Sequence, residues 1–191
     1  MSDTVRTVVF VVIAVDAFGA AMVAARLRHA ARRVGVALVI ASALLFAASV
    51  VGPSLLDALD ISDEAAEIAA GVVLLVPALT LLFRGDELFL VGDTEAEGSA
   101  AQRAGVVPLA LPLLAGPAPL AVVVALAARN DRGEAAIGVT VAMVVASAAL
   151  AVAVRHRRER RTILEAITGH FVGAAMVFVA FALVVDGVLG V

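Results

Sequence analysis

The sequence has no cysteine, tryptophan or tyrosine, and all 14 of its basic residues are arginine. Without cysteine there are no disulfide staples, no thiol-relay chemistry and no cysteine-ligated metal. Without Trp and Tyr the usual interfacial aromatic belt is missing, so Arg and Phe must anchor the chain at a membrane surface. Charge is scarce as well: 16% of residues, with a net charge of −3. That leaves no basic face for nucleic acid. No metal cluster, nucleophile–base pair or phosphate loop appears, so neither an enzyme nor a bound cofactor is expected.

What the chain does have is apolar length. Of its 191 residues, 63% are apolar, and the mean hydropathy is +1.09. Soluble domains are nearer half apolar and a quarter charged, so this composition predicts an all-α polytopic membrane protein. Six apolar segments emerge, at about 5–25, 34–56, 65–83, 104–128, 135–154 and 163–190. Residues 5–15 resemble a signal-peptide core. Asp16, the apolar continuation to Ala25 and the arginines that follow favour a retained span instead. Residues 84–103, acidic and Gly/Ser-bearing, read as a linker between a first repeat (1–83) and a second (104–191).

Eleven arginines lie in loops 26–33, 84–103 and 155–162, against three on the other side. This bias predicts those loops to be cytoplasmic and both termini extracytoplasmic. Three spans, a linker and three spans place the second half upside down relative to the first. This is the inverted-repeat plan of secondary transporters, whose sites lie at the midplane on broken helices in matching positions.

Both first helices of the halves carry such a break. Segment 104–128 holds Pro108, Pro112, Pro117 and Pro119, with Gly116 near its middle. Proline removes a backbone donor and clashes with the preceding turn, so this helix cannot run unbroken. A half-helix starting at Pro117 would aim its positive end and free N–H groups inward, suited to a carboxylate. In the first segment, Asp16-Ala17-Phe18-Gly19 falls at the midpoint. An Asp at mid-membrane costs about 2.5–3.5 kcal/mol and faces the bundle interior. It would bind a coupling ion (a proton or Na⁺) or a substrate ammonium, or it would cap a half-helix starting at Gly19. Asp16 with Gly19, and Gly116 with Pro117, would thus offer opposite charge character at one depth, matching a zwitterion such as an amino acid.

The remaining polar residues are weaker candidates. His170, two turns into the last span, suits a proton path or the interface. Glu67 and Asp186, near helix ends, are expected to be solvated. Ser42, Ser49, Thr80, Thr140 and Ser147 are expected to bond their own helix backbone.

The stretch VVPLALPLLAGPAPLA, residues 106–121, closely resembles the fourth-helix signature PLAIPLLAGPG of the MarC family of six-span membrane proteins. The match runs over Pro108, Leu109, Ala110, Pro112, Leu113, Leu114, Ala115, Gly116 and Pro117. Asp16 and Gly19 fit the family's D/N-P-x-G motif, RLRHAARR resembles its basic first loop, and Ile61-Ser62, Ile68–Gly71 and Asp186-Gly187 match more weakly. Ala17 and Met22 stand where the family has prolines, Ala118 replaces a glycine, and Pro119 is extra. The resemblance implies an inner-membrane protein related to LysE-type exporters, some relatives being small neutral amino acid transporters. The redox members of that architecture are excluded by the missing cysteines.

Two readings follow. One is a secondary transporter or exporter of a small solute, alternating access by rocking its two halves. The other is a structural or stress-associated membrane component whose polar midplane is a packing device. The expected partners are the lipid bilayer and a small solute, with a homo-oligomer as a further option.

Overall fold

With apolar side chains available for both the inside and the outside of the bundle, small residues make many of the interior contacts, beside buried leucines such as Leu45, Leu74 and Leu183. Lipid is as apolar as leucine, so helices associate through close packing of small residues. The computed structural model describes residues 3–26, 30–84, 114–155 and 162–190. Alanines such as Ala20, Ala37, Ala41, Ala70, Ala146 and Ala180 are fully buried in it. Phe83, Phe171, Phe178 and Val39 are among the most exposed side chains.

Seven helices carry the described chain: α1 (Asp3–Ala14), α2 (Ala17–Arg26), α3 (Ala30–Ala58), α4 (Asp63–Arg84), α5 (Pro117–Arg129), α6 (Arg132–Arg155) and α7 (Thr162–Leu189). Asp3–Ala21, Val34–Ala58, Asp63–Phe83, Arg132–Arg155 and Thr168–Leu189 are long and apolar enough to cross a membrane, and Pro117–Arg129 is a shorter apolar helix. The five spans coincide with apolar segments of the sequence, while Pro117–Arg129 covers only the second part of segment 104–128, whose residues 104–113 lie outside the described ones. The linker 84–103, Pro108 and Pro112 lie outside the described residues, apart from the helical end at Arg84.

The prolines do not all act alike. Pro53 and Pro77 sit inside α3 and α4 without ending them. Pro117 opens α5, and Pro119 is buried in its first turn. Where α3 stops, Asp60 takes φ +55°, the Ile61 N–H bonds the Leu56 carbonyl at 3.0 Å, and the Asp60 N–H bonds that of Asp57 at 3.2 Å. This is a Schellman stop with Asp in the left-handed position. Ser62 then caps α4 through the Ala65 N–H, 3.3 Å away. Ser49, Thr80, Thr140 and Ser147 hydroxyls bond their own helices, as expected.

Packing runs across the sequence rather than along it. The α1–α2 pair lies mainly on α6, α5 lies on α3 and α4, and α4 lies along α7. Glycines permit the closest approaches. A Cβ on Gly71 would sit 2.6 Å from the Ala180 carbonyl, one on Gly173 3.2 Å from that of Ala78, and one on Gly187 2.6 Å from that of Glu64. The facing numbers fall on α4 as they rise on α7, so the two helices run antiparallel with backbones nearly touching.

Candidate functional site

The first span is broken where the charged residue interrupts its apolar run. After α1 ends at Ala14, Val15 and Asp16 form a turn and α2 starts at Ala17. Asp16 is the N-cap: its Oδ1 accepts the Gly19 N–H at 2.8 Å, while its carbonyl accepts the Ala20 N–H at 3.0 Å. A side-chain oxygen that satisfies an orphan donor of the first turn is what the N-cap position favours. Asp16 is 7% exposed, and Gly19 is buried beside it. The half-helix therefore begins at Ala17, two residues before the expected Gly19, because the carboxylate needs Gly19 as its third helical residue.

In the second half, Leu114 and Ala115 are buried. Gly116 caps α5 in extended conformation (φ −72°, ψ −180°) with no side-chain bond, and Pro117 follows. Pro fits the first helical position because its missing N–H would be unsatisfied there. The row of free donors is thinner than expected. Pro117 and Pro119 have no N–H, so of residues 116–119 only Gly116 and Ala118 carry one. The half-helix keeps its dipole and loses half its hydrogen-bonding reach.

A polar cluster sets the depth of both breaks. Asn130 Nδ2 donates to Thr7 Oγ1 at 2.7 Å, which puts the end of α5 and the start of α1 at one level. At 1.5 Å per residue, Asp16 lies about 14 Å below that level and Gly116 about 21 Å. By residue count the two helix starts lie about 7 Å apart along the bundle axis.

The same end of the bundle holds two acids whose helix-end positions suggested that water would solvate them. Glu67 is instead fully buried and ion-pairs with Arg129. Its Oε1 has no hydrogen-bond partner among the described residues. Asp186, partly buried, ion-pairs with Arg6, whose guanidinium lies 5.2 Å from the centre of the Phe10 ring. Thr4 Oγ1 donates to Glu134 Oε1 at 2.7 Å, and Arg132 Nη2 donates to Ser54 Oγ at 3.1 Å. A helix-end position does not reveal which way a side chain points, and Glu67 turns inward. The available signal was coincidence: Arg6, Glu67, Arg129, Glu134 and Asp186 each sit within a turn or two of an apolar segment's end on the same predicted side.

Two cavities stand out, and neither touches Asp16 or Gly116. One, of about 300 Å³, is a polar recess at the Thr7 end, lined by Pro53, Asp57, Asp63, Asn130, Asp131 and Arg132 together with Ala127 and Ala128. The other is an apolar groove along Thr168, Phe171, Val172 and Ala175. His170 is exposed on the bundle surface and does not join the interior. Among the described residues no three His, Cys, Asp or Glu side chains are grouped to hold a metal.

Apolar helices of spanning length, packed on small residues around two interior helix starts, define a multi-pass integral membrane protein of the all-α class. The chain belongs to the MarC family: residues 4–191 match the family described as MarC family integral membrane protein. Neither a curated protein nor a solved structure matches it.

Proposed function

We propose that this MarC protein is a secondary transporter or exporter of a small solute such as a neutral amino acid, working by alternating access about a midplane site, and not an enzyme. The observation that carries the reading is the pair of half-helix starts inside the membrane-spanning region, at Asp16–Ala17 and at Gly116–Pro117. Broken backbone at membrane depth is tolerated only where protein or a cavity satisfies it, and transporters place their sites there. Asp16 would receive the ammonium or a coupling H⁺ or Na⁺. The Gly116 and Ala118 N–H groups would receive the carboxylate. The packing supports an inverted repeat: the third helices of the halves, α4 and α7, run antiparallel against each other, and the first helix of each half lies on the second of the other. The arginine bias supports a plasma (inner) membrane orientation with both termini outside.

The test is counterflow of labelled alanine, glycine and serine in proteoliposomes, with and without proton and sodium gradients. Asp16→Asn and Gly116→Leu are expected to abolish flux of the transported solute. Unchanged flux in both would sink the site. One observation favours the structural alternative: the Asp16 carboxylate is already engaged as a cap, and the two cavities lie away from it. Folded protein showing no flux across a broad solute panel would establish that alternative.

A further inference from the structure

The cluster at the Thr7 end has an arrangement that packing alone does not require. Each broken element carries an arginine that reaches an acid on the α4–α7 pair. Arg6, on the α1 arm of the first break, pairs with Asp186 of α7. Arg129, at the end of the α5 arm of the second break, pairs with Glu67 of α4. Two further bonds close the same level: Thr7 to Asn130, and Thr4 to Glu134. All four contacts join residues 3–67 to residues 129–186.

Burial shows what these contacts separate. The polar recess of about 300 Å³ shares Asn130 with the cluster, and its lining includes neither Asp16 nor Gly116. Below them Val11, Ala14 and Val15 are buried to 1% exposure or less, down to Asp16. A buried carboxylate such as Glu67 is costly unless paired, and removing its partner is costlier still. An ion pair so placed makes two arrangements of the arm distinct, one paired and closed, the other open with both charges hydrated.

We propose that Glu67–Arg129 and Arg6–Asp186 form a double latch that holds the arms of the two breaks shut against the α4–α7 pair. Releasing it connects the polar recess to Asp16. The proposal rests on the transport reading and assigns that reading one of its two gates. The solute or coupling ion enters or leaves past Arg6, Thr7, Glu67 and Arg129. Thr7–Asn130 serves as the neutral seam between the two charged pairs.

The cysteine-free chain allows a direct test. Ala14→Cys places one thiol below the latch, at a position 1% exposed. Full-length protein in proteoliposomes is treated with a charged, membrane-impermeant maleimide. Slow labelling is expected in the parent, with labelling about tenfold faster or more after Glu67→Gln or Arg6→Gln. The swapped pair, Glu67→Arg with Arg129→Glu, is expected to return the rate toward that of the parent. Parent-like rates in both single variants, or a rise that the swap does not reverse, would overturn the latch.

A second measurement does not depend on the single variants folding. A disulfide between Thr7→Cys and Asn130→Cys, whose native side chains already touch, is expected to stop counterflow and to release it on reduction. Faster labelling with no flux for any solute keeps the latch and removes the transport reading. Flux through the cross-linked protein keeps transport and removes the latch.

Discussion

Asparagine at position 16 would separate the two jobs of the aspartate. Its side-chain oxygen can still accept the Gly19 N–H, since Asn and Asp cap helices about equally well, but it carries no charge and binds no proton. Asp16→Asn is therefore expected to keep the stability of the parent in detergent while losing solute flux. Asp16→Ala removes the cap as well and is expected to lose about 1 kcal/mol, read by thermal or denaturant unfolding. Equal stability losses in both variants would mean that the charge holds the fold. At this scale the sequence was informative about Asp16, because one charge in an apolar run stands out. It was uninformative about Glu67, four residues after Asp63 at the end of a span. The same spacing suits a solvated helix end or an inward carboxylate, and only the position of Arg129 on a distant segment decides between them.

Helix ends and helix contacts give a different kind of prediction. Gly71 and Gly187 have carbonyl oxygens of the facing helix where a Cβ would go, 2.6 Å away in each case. Gly71→Val and Gly187→Val must push α4 from α7, and each is expected to cost about 2–3 kcal/mol in unfolding experiments in detergent. Gly35 also lies in a helix but is exposed, with open space where a Cβ would go. Alanine there is expected to be neutral or to add up to about 1 kcal/mol through helix propensity. Small losses at 71 and 187 would show that the two helices are not held at this distance. The spans themselves were legible because an uncharged apolar run of about 20 residues matches the thickness of a bilayer and little else. The roles of the prolines were not all legible. Pro53 and Pro77 are accommodated inside α3 and α4, whereas Pro117 follows a glycine that takes extended backbone and starts a helix. The residue type is the same, and the neighbouring backbone decides.

For the whole molecule, the arginine distribution makes a prediction independent of any site. A reporter active only in the cytoplasm is expected to be silent when fused after Val191 and active when inserted in loop 26–33. The reverse pattern would invert the bundle and exchange the sides served by the latch. Both interior helix starts were visible in the sequence, one through the charge at Asp16 and the other through the Gly116-Pro117 pair. The latch was not, because its members are scattered from Arg6 to Asp186 and meet only when α1, α4, α5 and α7 come together.

The α4–α7 contact has a mechanical consequence. Its close approaches fall at residues 64, 71 and 78 on one helix and 187, 180 and 173 on the other, seven residues apart on each. A repeat of seven is the signature of two helices wound gently about each other at a crossing near +20°, in register over about 20 Å here. Sliding one helix along the other would move all three close approaches out of register together. Since α4 comes from the first half of the sequence and α7 from the second, this contact ties the two halves of the chain to each other. In the transport reading proposed above, the wound pair would be the post, the α1–α2 and α5 arms with their neighbours what swing on it, and Glu67 and Asp186 its catches.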